Sequence, residues 1–276
     1  MTVSIVTYNT DLSELDCCLS CLSASCVDRI WIIDNSSSAQ ISDHVSGLDD
    51  QRITYIPAEN RGYGAGHNIA INEALAYAPA DGLHLIINTD IRFDPEILQT
   101  LKDVCRKDST VGMIQPLILG PDKKCHYSAR RLPTPYDLIL RRFLPASWAK
   151  KRRARYLLKD RDLEQPLIVP YLSGSFMLVR LQALRDCGLF DERFFMYPED
   201  IDLTRQIRAK YKTVYYPAVS IVHDHRAASY SSPRMLRVHA SNMIKYFNKW
   251  GWFFDRQRRQ MNDAIGPYIP EQQTHT

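Results

Sequence analysis

Three acidic sites, a pair of histidines and a run of glycines are the positions of this chain best suited to chemistry. Asp34 ends the run Arg29-Ile-Trp-Ile-Ile-Asp34, and Asp90 closes Leu85-Ile-Ile-Asn-Thr-Asp90. A carboxylate at the C-terminal end of a buried strand lies where open α/β sheets bind their ligands. At Asp34 the suited partner is a nucleobase or ribose, whose N–H or hydroxyl groups a carboxylate accepts. The plain alternative at Asp90 is a turn residue ahead of a helix opened by Asp94-Pro95-Glu96. Glu199-Asp200 sets two carboxylates at the start of another helix, where the dipole favours negative charge, so capping alone accounts for them. His223 and His225 follow a strand and, two residues apart, share a face, so either imidazole could take a metal. Gly62-Tyr-Gly64-Ala-Gly66 lacks the dinucleotide-binding spacing and follows the third strand rather than the first. It reads equally as a flexible turn or as backbone amides that, with Arg61, meet a diphosphate.

The elements that position these residues alternate. Strand patterns at residues 3–8, 29–34, 52–57, 85–87, 111–118, 172–180 and 213–222 are separated by helical patterns at 12–22, 67–77, 96–107, 181–187 and 201–209. Asp11 and Glu14 are spaced as a capping box for the first helix. Strand alternating with helix predicts an α/β fold with a mostly parallel sheet covered on both faces. Four polar clusters then fall on one sheet edge: Thr7 with Asn9, Asp34 with Asn35, Asn60 to Gly66, and Asn88 with Asp90. Residues 120–170 lose the pattern and read as an insertion of loops and one basic helix. A basic, aromatic helix or helix pair at 233–261 forms a C-terminal extension. The expected division is a catalytic domain over 1–230 and the extension over 231–276.

The chain has 276 residues, enough for one large α/β domain with an extension. Its net charge of +4 is unevenly laid out. Residues 141–161 hold nine Lys/Arg and one acid, and residues 234–259 hold seven and one, leaving an acidic body. Two basic segments on such a body suit an anionic partner: a membrane surface, a phosphate-bearing substrate or nucleic acid. The tail, with Tyr246, Phe247, Trp250, Trp252, Phe253 and Phe254 among Lys and Arg, suits either an interfacial helix on an anionic leaflet or one packed on the domain. Seven cysteines, an odd number, include a lone Cys18-Leu-Ser-Cys21 on a helical stripe. Buried thiols are the expected reading over a metal site, and free thiols favour a reducing cytoplasm. No apolar run is long enough to span a membrane.

Six stretches, in order over residues 1 to 230, carry a resemblance: Val3-Ser-Ile-Val-Thr-Tyr-Asn9, Ile33-Asp-Asn-Ser36, Asn60-Arg-Gly-Tyr-Gly-Ala-Gly-His-Asn68, Asn88-Thr-Asp90, Gly174-Ser-Phe-Met-Leu-Val-Arg180 and Phe190-Asp-Glu-Arg-Phe-Phe-Met-Tyr-Pro-Glu-Asp200. Together they resemble glycosyltransferase family 2, whose members are inverting, nucleotide-sugar-dependent enzymes of the GT-A fold. The tail, with His239 and Lys245-Tyr-Phe-Asn-Lys-Trp250, is similar to the bacterial rhamnosyltransferase-like branch that builds surface polysaccharide such as O-antigen or capsule.

The resemblance implies that Thr7, Asn9, Asp34 and Asn35 hold the donor nucleoside. Asn60, Arg61, Gly62 and Asn68 would lie along the ribose and diphosphate, with Asn88 and Thr89 beside them. Asn88-Thr-Asp90 stands in for an Asp-x-Asp metal motif, so Asp90 is its only carboxylate, and His223 (His225 as fallback) would join it on Mn²⁺ or Mg²⁺. Asp200 would be the general base and Glu199 its neighbour orienting the acceptor, because the attacking sugar hydroxyl must lose its proton. The implied partners are a dTDP- or UDP-linked sugar, with dTDP-rhamnose the first choice, and a saccharide acceptor on polyprenyl diphosphate. The expected location is the cytoplasm, at the inner face of the cell membrane. Two other classes fit the sequence less well. A nucleotidyltransferase wants a glycine-rich basic loop after the first strand, and Tyr8-Asn-Thr-Asp11 is not one. A nucleic-acid-binding module lacks its motifs here and is opposed by the acidic body.

Overall fold

The computed structural model describes residues 1–24, 26–138, 146–224 and 233–270. His225 lies outside them. Along the first third, β1 (Thr2–Thr7), α1 (Leu12–Cys21), β2 (Arg29–Asp34), α2 (Gln40–Ser46), β3 (Ile53–Pro57), α3 (Tyr63–Tyr77) and β4 (Leu83–Ile87) alternate. Next come β5 (Ile91–Arg92), α4 (Glu96–Lys107) and β6 (Val111–Leu119). The insertion contributes β7 (Ala129–Arg130), α5 (Pro135–Leu138), α6 (Ala146–Tyr156) and β8 (Leu167–Ile168). The chain then returns to the domain through β9 (Tyr171–Leu172), β10 (Phe176–Arg180), α7 (Leu181–Cys187), α8 (Glu199–Arg208) and β11 (Lys212–His223). The tail is α9 (Pro233–Trp250), α10 (Arg256–Asp263) and β12 (Gly266–Pro267).

One sheet runs β12-β8-β11-β6-β10-β4-β1-β2-β3, with β5 against β11. β3, β2, β1 and β4 pair parallel, as do β6 and β11, so the sheet is mostly parallel as expected. β10 lies antiparallel between β4 and β6 and divides the two parallel blocks. Burial on both faces explains the near-continuous apolar strands. Val3, Ile5, Ile30, Ile32, Leu85 and Ile87 meet α1, α2 and α4 on one side. Ile33, Ile86, Met177 and Val179 meet α3, α7 and α8 on the other. A polar chain runs through this core: Ser4 Oγ lies 2.7 Å from His67 Nδ1 and 2.9 Å from His84 Nε2, and His84 Nδ1 lies 2.8 Å from Thr2 Oγ1. Burial holds both imidazoles neutral and pushes His84 down to about 3.

Helix starts differ from the expectation in two places. α3 begins at Tyr63, not at His67, so Gly64 and Gly66 are helical. Their missing side chains let α3 approach its neighbours: a Cβ would stand 2.8 Å from Phe190 Cβ at Gly64 and 2.9 Å from Val6 Cγ2 at Gly66. α8 begins at Glu199, which places both acids in its first turn. α1 is capped by Asp11, which accepts from Ser13 N at 2.9 Å and Ser13 Oγ at 2.6 Å. The capping box is half made, because Glu14 turns instead to accept from the Thr89 hydroxyl.

The tail packs on the domain. Tyr246 and Phe247 are fully buried with Leu132, Tyr171, Phe194, Ile201 and Met261. Trp250 Nε1 donates to Asp202 Oδ1 at 2.6 Å, and the buried Arg205 donates to Asp255 Oδ1 at 2.7 Å while lying over the Trp250 ring. Of the two readings of the tail aromatics, packing holds for Tyr246, Phe247 and Trp250. Phe253 and Phe254 stay exposed. All seven thiols are free; Cys18 and Cys21 are buried, and burial raises both well away from thiolate character. Among the described residues no helix is long and apolar enough to cross a membrane.

Candidate active site

The C-terminal ends of β1, β2 and β4 open into a cavity of about 720 Å³. Asn35, Asn60, Gly62, Asn88, Thr89 and Asp90 line it, so three of the four expected polar clusters do converge. A second cavity, about 420 Å³, lies between the insertion, the start of α8 and the end of β11, and is lined by Arg130, Tyr171, Asp200 and His223 among others. The two meet at one contact: Asp90, on the wall of the first, has its Oδ2 3.1 Å from Nε2 of His223, on the wall of the second. Backbone pairing builds that contact. β5 follows Asp90 directly and pairs antiparallel with the end of β11, setting His223 opposite Ile91, while Asp224 N donates to Asp90 O at 2.9 Å. β4 is tied to the start of β10 by Asn88 N donating to Ser175 O at 3.0 Å.

Glu199 and Asp200 sit side by side but in different surroundings. Asp200 Oδ2 accepts from Tyr171 Oη and Gly174 N, both at 3.0 Å, and Oδ1 accepts from Ile201 N at 2.8 Å. Glu199 is buried, and its Oε2 has no hydrogen-bond partner among the described residues. Burial, then the charge of Asp200, pushes Glu199 up to about 8. Burial also raises Asp200, but the Gly174 and Ile201 amides, the Tyr171 hydroxyl and the Arg130 guanidinium oppose the rise. Of the two, Asp200 is the carboxyl whose surroundings favour charge, because its three hydrogen bonds and Arg130 oppose the rise that burial imposes. A carboxylate held that way and facing a cavity is equipped to accept a proton.

The remaining expected residues divide. Asp34 is buried, accepting from Thr7 Oγ1 at 2.9 Å, Ser36 N at 3.0 Å and Tyr55 Oη at 3.0 Å, so Thr7 and Asp34 form one unit beneath the first cavity. Asn9 is exposed at the rim with a left-handed backbone, its N–H donating to Ser36 Oγ at 2.8 Å. Thr89 is turned to Glu14. Asn68 does not face the cavity: its amide nitrogen donates to Phe190 O at 2.9 Å and Glu192 Oε1 at 3.1 Å, and its oxygen accepts from Phe190 N at 3.1 Å. It clamps the segment leading to Glu199 and is corrected to that role. Arg61 points to solvent in an ion pair with Glu192 at 3.1 Å. Gly62 is a glycine for packing, since at its φ of 107° a Cβ would fall 2.1 Å from Phe195 O. At the start of α3, Gly62 N donates to Asn60 Oδ1 and Tyr63 N to Phe195 O, so these two amides are turned within the chain.

Several site groups were not among the sequence candidates. Tyr63 reaches across the first cavity to donate to Gly174 O at 2.7 Å, and burial with the nearby charges of Glu199, Asp200 and Asp90 holds its hydroxyl protonated. Arg130, Tyr156 and Tyr171 stack in the second cavity, with the guanidinium 5.5 Å from the Tyr171 ring centre and 6.0 Å from that of Tyr156. His126 lies edge-on to His223 at 5.7 Å. Arg130, Tyr156 and His126 come from the insertion, where no periodicity marked them.

The donor set at the junction fits a divalent cation. Asp90 offers carboxylate oxygen, His223 imidazole nitrogen, and Asn88 Oδ1, in the wall of the same cavity as Asp90, is buried without a hydrogen-bond partner among the described residues. Among those residues no three His, Cys, Asp or Glu side chains gather as ligands, so the shell would be completed from outside the chain.

Comparison with known proteins places these features in context. The family model described as "Glycosyl transferase family 2" matches residues 2–188. The chain is 31% identical over 177 residues to the N-acetylglucosaminyl-diphospho-decaprenol L-rhamnosyltransferase of Mycobacterium tuberculosis, covering 62% of this chain and 57% of that protein. It thus spans little more than half of that relative. It is 29% identical over 248 residues to rhamnosyltransferase WbbL of Escherichia coli K12, covering 87% and 89%. Two solved structures share the fold. GalNAc-T7 with UDP, GalNAc and Mn²⁺ superposes with a TM-score of 0.66 at 15% identity, over 93% of this chain and 48% of that one. The Pyrobaculum calidifontis mannosyltransferase PcManGT with GDP-Man and Mn²⁺ gives 0.55 at 18%, over 90% and 63%.

Proposed function

Given that this chain belongs to glycosyl transferase family 2, we propose that it is an inverting glycosyltransferase moving L-rhamnose from dTDP-rhamnose, or a related UDP-linked sugar, to a lipid-linked saccharide. The acceptor is a sugar carried on polyprenyl diphosphate, as the name of the M. tuberculosis relative describes for that protein. The product belongs to a bacterial surface polysaccharide, and the enzyme works at the inner face of the cell membrane. The observation that carries the reading is Asp200, held by three hydrogen bonds in one cavity, joined to a second cavity of strand-end polar groups by the Asp90–His223 contact.

In this reading the donor occupies the larger cavity, with its nucleoside over the Thr7–Asp34 unit and Asn35. The acceptor sugar occupies the smaller one, where Tyr171 and Gly174 hold Asp200 towards the attacking hydroxyl. Asp200 takes that hydroxyl's proton as its oxygen bonds to the anomeric carbon, and the C–O bond to the nucleoside diphosphate breaks on the opposite face. The configuration inverts. Glu199, kept protonated, leaves Asp200 as the single charge of the pair. Asp90, His223 and Asn88 would hold a divalent cation, Mn²⁺ or Mg²⁺, which would supply charge neutralisation at the departing diphosphate. With one carboxylate in the set, its affinity in the absence of donor would be modest.

The test is thermal unfolding with a panel of nucleotide sugars, with and without Mn²⁺. dTDP-rhamnose with Mn²⁺ is expected to raise the midpoint most, because a ligand bound only by the native state stabilises it. Asp90→Ala is expected to remove the part of the rise that depends on Mn²⁺. Protection by UDP-hexoses alone would replace the donor; protection by none of the panel would remove the reading.

A further inference from the structure

Outside the two cavities, a basic groove of about 610 Å³ runs between the insertion and the turn joining α9 to α10. On one side α6 lines it with Arg152 and Arg155, both exposed. Of these only Arg152 has a carboxylate within reach among the described residues, Asp137 at 3.8 Å. On the other side the turn carries Phe253 and Phe254, 71% and 100% exposed, followed by the exposed Arg256 and Arg259. Phe254 is the only large apolar side chain among the described residues that nothing covers.

The floor of the groove is already satisfied. Arg131 is paired with Asp160 at 2.8 Å, Arg258 donates to backbone carbonyls of the turn, and Asp255 is taken by Arg205. Arg259 has Asp263 at 3.8 Å. The cations left over in its walls, Arg155 and Arg256, stand in the same groove as the two phenylalanines. Apolar rings projecting between cations are the arrangement by which a protein rests on an anionic bilayer. The rings enter below the headgroups and the cations sit at phosphate level.

We infer that this groove and its phenylalanine tip are a docking surface for an anionic lipid bilayer. Two chain segments far apart in sequence build it, the insertion and the tail, which are also the two basic segments of the chain. Its place in the fold suits the occupant. Asp137 and Tyr156 belong to the walls of both the groove and the cavity holding Asp200. A bilayer seated there lies at the mouth of that cavity, so an acceptor sugar reaches Asp200 while its lipid stays in the membrane. The placement of the acceptor rests on the function proposed above; the docking surface itself does not.

Vesicle sedimentation tests the surface without donor or acceptor. Wild type is expected to sediment with vesicles of phosphatidylcholine and phosphatidylglycerol at low salt, and to be released by salt and from phosphatidylcholine alone. Phe253→Ser with Phe254→Ser is expected to lower the bound fraction roughly tenfold with an unchanged thermal midpoint. Arg155→Glu with Arg256→Glu gives an independent loss through charge. Equal sedimentation with both vesicle types, or undiminished binding by the phenylalanine variant, would overturn the inference. So would a single-stranded oligonucleotide that binds the groove more tightly than vesicles do. Transfer to a water-soluble acceptor separates the two proposals: intact transfer without vesicle binding removes only the docking surface, and vesicle binding without transfer removes only the activity.

Discussion

At the scale of single residues, the arrangement turns on two neighbouring carboxylates with opposite fates. Asp200 has three donors that favour its charge; Glu199 is buried with a bare oxygen, which favours its proton. That difference has a consequence for stability. Glu199 is held near 8 in the fold, above the ordinary range of a glutamate, so between about 4.5 and about 8 the unfolded chain has lost a proton that the native state keeps. The Glu199 contribution is therefore full at low pH and is lost as pH rises through that window. Glu199→Gln should remove this dependence, making the variant more stable than wild type near pH 8 and least so near pH 5. Urea unfolding at the two pH values measures it; a variant weaker than wild type by the same margin at both would contradict the assignment. Asp34, Asp90, Asp200 and His223 were legible in the sequence because each stands directly after a strand or at a helix start. Tyr63 and Arg130 were not, since one lay inside a glycine run and the other in a segment without periodicity. Asn68 was misplaced for a related reason: a polar side chain on a helix pattern does not show which neighbour it will clamp.

At the scale of elements, the tail is held by packing and one buried ion pair rather than by a lipid surface along its whole length. Arg205 and Asp255 are both almost fully buried, and removing one partner strands the other's charge away from water. Asp255→Ala should cost about 3–5 kcal/mol in chemical unfolding. A loss below about 1 kcal/mol would mean that α9 and α10 are not part of the cooperative unit. The helix periodicity of this stretch was readable, and so was its mixture of rings and cations. Which rings face the domain was not, because Tyr246 and Phe247 are buried by Leu132, Tyr171 and Ile201, residues distant in the chain. The same limit hid β8 and β12. Two-residue strands have no period: β8 forms on the edge that β11 offers, and β12 on β8 in turn.

At the scale of the whole molecule, an alternating chain gives a parallel sheet whose strand ends share an edge, and that much follows from pattern alone. The reversal of β10 does not: periodicity carries no direction, and the antiparallel strand is fixed by its hydrogen bonds to β4 and β6. That reversal and β5 together bring the start of α8 and the end of β11 to the edge built by β1, β2 and β4. The division of labour between the two cavities is the central claim, and Asp200→Asn tests it most directly. The amide keeps the shape and the contact with Tyr171 but cannot accept a proton. Sugar transfer and donor-dependent thermal protection should be measured on the same preparation. Transfer is expected to fall about 10²- to 10⁴-fold, with protection by donor and Mn²⁺ unchanged. Transfer within a few-fold of wild type, or protection lost together with transfer, would contradict it.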